Sequence, residues 1–196
     1  MRFLLLFFQI SRILMQISKL SMKRLVYFGS AFNPPHAGHV QCMKWLVTRP
    51  GVDRVLSGPN KAHAFTKNMV DFDMRCEMTQ DLLNYFNMPA NVEVCRIERD
   101  MGQDGSPVYT YDVLVVLKKL YPDHLIVFGL GPDNIEQFSR FYRYQDIINE
   151  FELEECPTMG TVRSTDIRKA AQEGNHEFIS QYTAPILVNR VLQLYK

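Results

Sequence analysis

The sequence carries almost no charge bias. Of its 196 residues, 22 are Lys or Arg and 21 are Asp or Glu, for a formal net charge of +1. That balance argues against the broad basic field by which proteins hold nucleic acid or an acidic membrane surface. Paired cysteines are also missing: Cys42, Cys76, Cys95 and Cys156 are scattered, with no Cys-x-x-Cys spacing. Zinc ribbons and dithiol redox motifs have no basis here, and free thiols in a reducing cytoplasm are the expected state. No apolar run approaches the ~20 residues of a membrane-spanning helix.

The nearest thing to such a run is Met1-Arg-Phe-Leu-Leu-Leu-Phe-Phe8, which looks like the start of a signal peptide. No small-residue cleavage site follows it, and Ser11 to Leu20 mixes polar and apolar residues with Arg12 and Lys19. Met22 stands just ahead of the first strand-like stretch. Residues 1–21 are therefore expected to lie outside the fold, as a start codon assigned too early would produce. Residues 22–196 are expected to form one domain, long enough for a full core.

What the chain does contain is Gly29-Ser-Ala-Phe-Asn-Pro-Pro-His-Ala-Gly-His39, set between two patterned segments. Ahead of it, Leu25-Val-Tyr-Phe28 reads as a strand. Behind it, Val40, Met43 and Val47 share one helical face. Gly29 lets the backbone turn, Pro34-Pro35 stiffens the loop, and the free N–H groups of the following helix favour an anion.

Further strands are expected at Val52–Ser57, Asn91–Ile97 and the continuously apolar Leu125–Phe128; helices are expected over 71–86, 109–120, 134–149 and 185–195. The loop from Asn60 to Val70, with Lys61, His63 and Lys67, and the segment from Glu150 to Gly160 show no periodicity. Ser164 or Thr165 is a plausible N-cap for a late helix that Gly174 ends. Strands alternate with helices, so the expected fold is α/β with a doubly wound parallel sheet, Rossmann-like. Its ligands would bind at the carboxyl ends of the strands.

By residue type, His36 and His39 are a metal pair, a proton shuttle or phosphate ligands. Without a nearby Cys, Asp or third His they make a poor zinc site, and imidazoles donating to phosphate oxygens fit the helix start better. Asp133, after Gly131-Pro132, either accepts from ribose hydroxyls or caps the next helix. Arg168 lies in the first turn of its helix, where a cation is disfavoured unless an anion offsets it.

These pieces together resemble the nicotinate/nicotinamide mononucleotide adenylyltransferases of the nucleotidyltransferase superfamily. The loop 29–39 looks like the family's first motif in its bacterial nicotinate form. Met74-Arg-Cys-Glu-Met78 resembles an Arg-x-x-Met helix, and Val108-Tyr-Thr-Tyr-Asp-Val-Leu114 a Ser-Tyr-Thr-x-x-Thr-Leu segment. Gly131-Pro-Asp-Asn134 resembles Gly-x-Asp, Ser164-Thr-Asp-Ile-Arg168 resembles Ser-Thr-x-Ile-Arg, and the closing Val191–Tyr195 is similar too. The order is preserved over residues 23–195.

The resemblance implies transfer of AMP from ATP to nicotinate mononucleotide, with Mg²⁺ travelling on the triphosphate and no metal site of protein side chains. It implies catalytic roles for His36, His39 and Arg168. An ATP site would also include Gly29, Ser30, Ala31, Gly131, Asp133, Ser164 and Thr165. On the acceptor side it implies Ser30, Ala31, Lys61, Thr110 and Phe141. Three features depart from the family pattern. Arg163 stands where a serine is usual, and either adds a phosphate contact or crowds the site. Phe141 and Tyr144 replace common tryptophans, and 150–161 is short. A different acceptor with the same chemistry, or a nucleotide-binding protein without turnover, are the competing readings.

Overall fold

A computed structural model of the chain describes residues 22–61, 69–102, 108–158, 160 and 162–196. The 1–21 segment, and the part of the 60–70 loop with His63 and Lys67, lie outside the described residues. Five strands form one parallel sheet: β1 (Lys23–Ser30), β2 (Val52–Pro59), β3 (Val92–Val94), β4 (His124–Leu130) and β5 (Glu152–Glu155), in the order β3-β2-β1-β4-β5. The helices are α1 (Ala37–Val47), α2 (Phe72–Tyr85), α3 (Thr110–Leu120), α4 (Pro132–Gln137), α5 (Tyr144–Glu150), α6 (Ser164–Gln172), α7 (His176–Tyr182) and α8 (Pro185–Leu194). The expected doubly wound parallel sheet is thus observed.

Side chains alternate across the sheet and feed two cores. Val26, Val55 and Val127 face one side and pack with α1, α2, α6, α7 and α8 through Met43, Leu46, Leu82, Ile167, Ile179 and Leu187. Leu25, Tyr27, Leu56, Ile126 and Phe128 face the other side and pack with α3 and α5 through Leu114, Leu117 and Ile147. This two-sided burial explains why the central strands read as unbroken apolar runs. The winding reverses between β1 and β4, so the crevice at their carboxyl ends is the topological switch point.

One unpatterned segment gains an element, and two local expectations are corrected. The segment 150–160 contains β5, an edge strand of sequence Glu-Leu-Glu-Glu whose acidic residues hide the strand pattern. The strand expected over 91–97 shortens to Val92–Val94 before a 3-10 turn at Ile97–Arg99. The single helix expected over 134–149 is broken into α4, a 3-10 turn (Phe138–Arg140) and α5. Arg143 at φ 55° prevents continuation, its guanidinium pairing with Asp146 and lying 4.0 Å from the Tyr111 ring centre. Gly174 at φ 68° ends α6 as expected.

Candidate active site

The loop between β1 and α1 is shaped by buried contacts. Phe32 adopts φ 46°, a left-handed conformation that a bulky residue takes only when its surroundings hold it there. Its fully buried ring packs 6.1 Å from Phe28 and 4.5 Å from His39, centre to centre. Asn33, also buried, receives the Tyr195 hydroxyl (2.6 Å) and the Val70 N–H (3.3 Å) on its side-chain oxygen. The peptide bond from Asn33 to Pro34 is cis.

His36 is the N-cap of α1, its Nδ1 accepting the Gly38 N–H at 3.1 Å. His39 accepts the His36 N–H on its own Nδ1 at 3.1 Å, and its Nε2 lies 3.2 Å from Ser30 Oγ. Each neutral ring must then carry its proton on Nε2. Burial pushes His36 down to about 4 against the opposing pull of Asp166. Burial, with His36 close by, pushes His39 well below the usual range. The rings stack 3.9 Å apart, two uncharged donors at a helix start.

Gly38 makes the approach of the next wall possible. A Cβ there would lie 3.0 Å from the His36 ring and 3.5 Å from the Val162 carbonyl oxygen. From that wall, Ser164 Oγ donates to the Pro34 carbonyl (2.9 Å), and Arg168 donates to the Asn33 carbonyl (2.7 Å) and Thr165 Oγ1 (3.1 Å). The expected N-cap moves by one position: Arg163 holds it, because Ser164 turns its hydroxyl to the loop and Asp166 takes the Arg163 N–H at 2.8 Å. On the β4 side, Asn134 donates to the Gly29 carbonyl (3.2 Å), and Asp133 pairs with Arg163 at 3.1 Å. His36, His39, Ser30, Asp133, Ser164, Thr165 and Arg168 therefore join one connected network around the loop, and Gly29, Ala31 and Gly131 supply backbone at its edge.

Lys61, Thr110 and Phe141 fall on the opposite face of the sheet. Lys61 spends its ammonium on the carbonyls of Arg99 (3.2 Å), Met101 (2.7 Å) and Gly102 (3.4 Å). Thr110 opens α3, and Phe141 packs against Phe128 and Phe138. The neighbouring rings of Tyr109 and Tyr142 stand 4.4 Å apart and join the α3 start to the 141–143 corner.

Two residues organise the loops around the site: Arg75, placed on its helix by the sequence but given no role there, and Glu98, not singled out at all. Arg75, 1% exposed, donates to the carbonyls of Val70 (2.8 Å), Ala31 (2.7 Å) and Asn60 (2.7 Å). Glu98, likewise buried, accepts the Tyr27 hydroxyl (2.9 Å) and the Lys61 N–H (2.7 Å), and burial pushes its carboxyl pKa up. A charged residue on the apolar stripe of α2 was the available signal for Arg75. Glu98 left none.

Ligands of a doubly wound sheet bind at this switch point between β1 and β4, and the helix start there favours an anion. The family profile described as cytidylyltransferase-like matches residues 27–176, and the chain belongs to that family. The nicotinate-nucleotide adenylyltransferase of Bacillus subtilis (strain 168) is 30% identical over 130 residues, 65% of this chain and 66% of that one. The chain thus spans just under two thirds of that curated relative. A crystal structure from Vibrio parahaemolyticus, assigned as a nicotinate-nucleotide adenylyltransferase, superposes with a TM-score of 0.72 at 33% identity. The match covers 87% of this chain and 99% of that one. The nicotinic acid mononucleotide adenylyltransferase of Plasmodium falciparum, solved with NaAD, shares the fold at 17% identity (TM-score 0.68, covering 87% and 95%).

Proposed function

We propose that the chain transfers AMP from ATP to nicotinate mononucleotide, giving deamido-NAD and pyrophosphate in NAD biosynthesis. The observation that carries this reading is the pair of neutral Nε2–H imidazoles at the α1 start, with Arg168 bonded to the Asn33 carbonyl of the same loop. A phosphate oxygen of the mononucleotide attacks the α-phosphorus of ATP in line, the bond to the β-phosphate oxygen breaks, and pyrophosphate leaves. No covalent enzyme intermediate is needed, so the protein contributes position and charge stabilisation.

In this reading His36 and His39 donate to the α/β-phosphate oxygens, and Arg168 takes the departing pyrophosphate. Ser30 and the Ala31 backbone contact the phosphates at the meeting point of the substrates. Asp133 and the Gly131 turn face the ribose, and Ser164 and Thr165 line the triphosphate. Thr110 and Phe141 form the pyridine wall, and Lys61 shapes it by holding the 99–102 turn. Among the described residues, no group of three or more His, Cys, Asp or Glu side chains could hold a metal. In this reading Mg²⁺ would arrive with ATP, held mainly by phosphate oxygens and water. We assign the activity to residues 22–196 as one domain. Its free cysteines suit a cytoplasmic setting. Among the described residues, no helix is long and apolar enough to cross a membrane.

The test is pyrophosphate release with ATP, Mg²⁺ and a panel of phosphate monoesters. Turnover with nicotinate mononucleotide is the expected outcome. Turnover only with nicotinamide mononucleotide or another monoester moves the acceptor assignment, and ATP binding with no pyrophosphate from any acceptor overturns adenylyl transfer.

A further inference from the structure

Arg163 Nη2 lies 3.1 Å from Asp133 Oδ1, with the two side chains 61% and 60% exposed. The partners stand on different walls of the crevice. Asp133 sits in the first turn of α4, anchored to the end of β1 by the Asn134 bond to the Gly29 carbonyl. Arg163 immediately precedes α6, anchored to the same loop by the Ser164 bond to the Pro34 carbonyl. The ion pair thus closes a circuit around the loop that carries the histidines. An exposed pair of this kind is weak and screened by salt, so ligand groups displace it readily.

Arg163 also occupies a position that is costly for a cation. The start of a helix already presents partial positive charge, and Arg168 adds a cation one turn further along. Asp166, the acidic residue of that turn, is committed to the Arg163 N–H. An anion arriving between α4 and α6 relieves this arrangement, and a forked guanidinium matches phosphate oxygens in pairs.

We propose that Arg163 is a further ATP-binding residue, which holds the Asp133 carboxylate when ATP is absent and passes to the triphosphate when the ribose hydroxyls take that carboxylate. The inference rests on the ATP-side assignment given above. Each of the two groups exchanges one partner for another, so neither is left unpaired in either state.

Calorimetric titration of ATP with Mg²⁺ into the wild type, Arg163→Ser and Arg163→Lys tests it. The expected result is an ATP Kd weakened by about tenfold in Arg163→Ser, partly recovered in Arg163→Lys, as for loss of one charge-assisted contact. The KM for the acceptor should move much less, and added salt should weaken ATP binding less steeply in Arg163→Ser than in the wild type. Unchanged or tighter ATP binding by Arg163→Ser overturns the proposal. A wild type that binds ATP but releases no pyrophosphate defeats adenylyl transfer, while the Kd ratio still decides the role of Arg163. A wild type that does not bind ATP overturns both.

Discussion

His39 carries its proton on Nε2 because the His36 N–H occupies Nδ1, which makes the ring a donor without a charge. Replacing it by alanine is expected to lower kcat by about 10²-fold or more, as when one transition-state donor is removed. An unchanged kcat would sink the role given to the loop. The same burial makes the histidines sensitive to acid. An unfolded chain protonates His36 near its usual value of 6.5, whereas the folded ring resists until about 4. Between those values the folded state binds fewer protons, so stability is complete above ~6.5 and is lost as pH falls towards ~4. The contribution is on the order of 3 kcal/mol. Urea midpoints measured from pH ~7 to ~5 should therefore fall steeply in the wild type and less steeply in His36→Asn. Parallel slopes would place the acid sensitivity in other groups.

Arg75 ties three separate stretches to α2, since its carbonyl partners belong to the β1 loop, the β2 exit and the lead into α2 itself. Arg75→Met keeps the bulk but leaves those carbonyls without their donor, at an expected cost of about 3 kcal/mol. A loss under about 1 kcal/mol in denaturant unfolding would show that the fork is dispensable. At this scale the sequence was legible where one pattern dominated, as in α1, α3, β1 and β4. It misled where tertiary partners overrode periodicity. Arg143 breaks an otherwise helical aromatic stripe by seating its guanidinium on Tyr111. The acidic residues of β5 mask a strand that pairs along only one edge. The short α7 was not anticipated, because its seven residues are too few to show a helical face.

The sheet order β3-β2-β1-β4-β5 places the loops after β1 and β4 side by side, which sequence alternation implied only in outline. Parallel winding follows from strand–helix alternation, but nothing local states which strands become neighbours. The two histidines and Arg168 were legible because each residue type was odd for its place, whereas the Arg163–Asp133 pair depended on that unseen adjacency. If residues 22–196 are the whole working domain, a chain beginning at Met22 should keep its denaturation midpoint and its ATP affinity. A large loss of either would give residues 1–21 a structural part.

The two cores lie on opposite faces of the sheet, and the residues proposed above for the two substrates divide between the same faces. His36, His39, Ser164 and Arg168 ride on the side of α1 and α6, and Thr110 and Phe141 on the side of α3 and α5. The strands' carboxyl edge is what they share. Inheritance can then act on the halves separately: a descendant could exchange its acceptor by rewriting the α3–α5 side while leaving the adenylyl donor side intact.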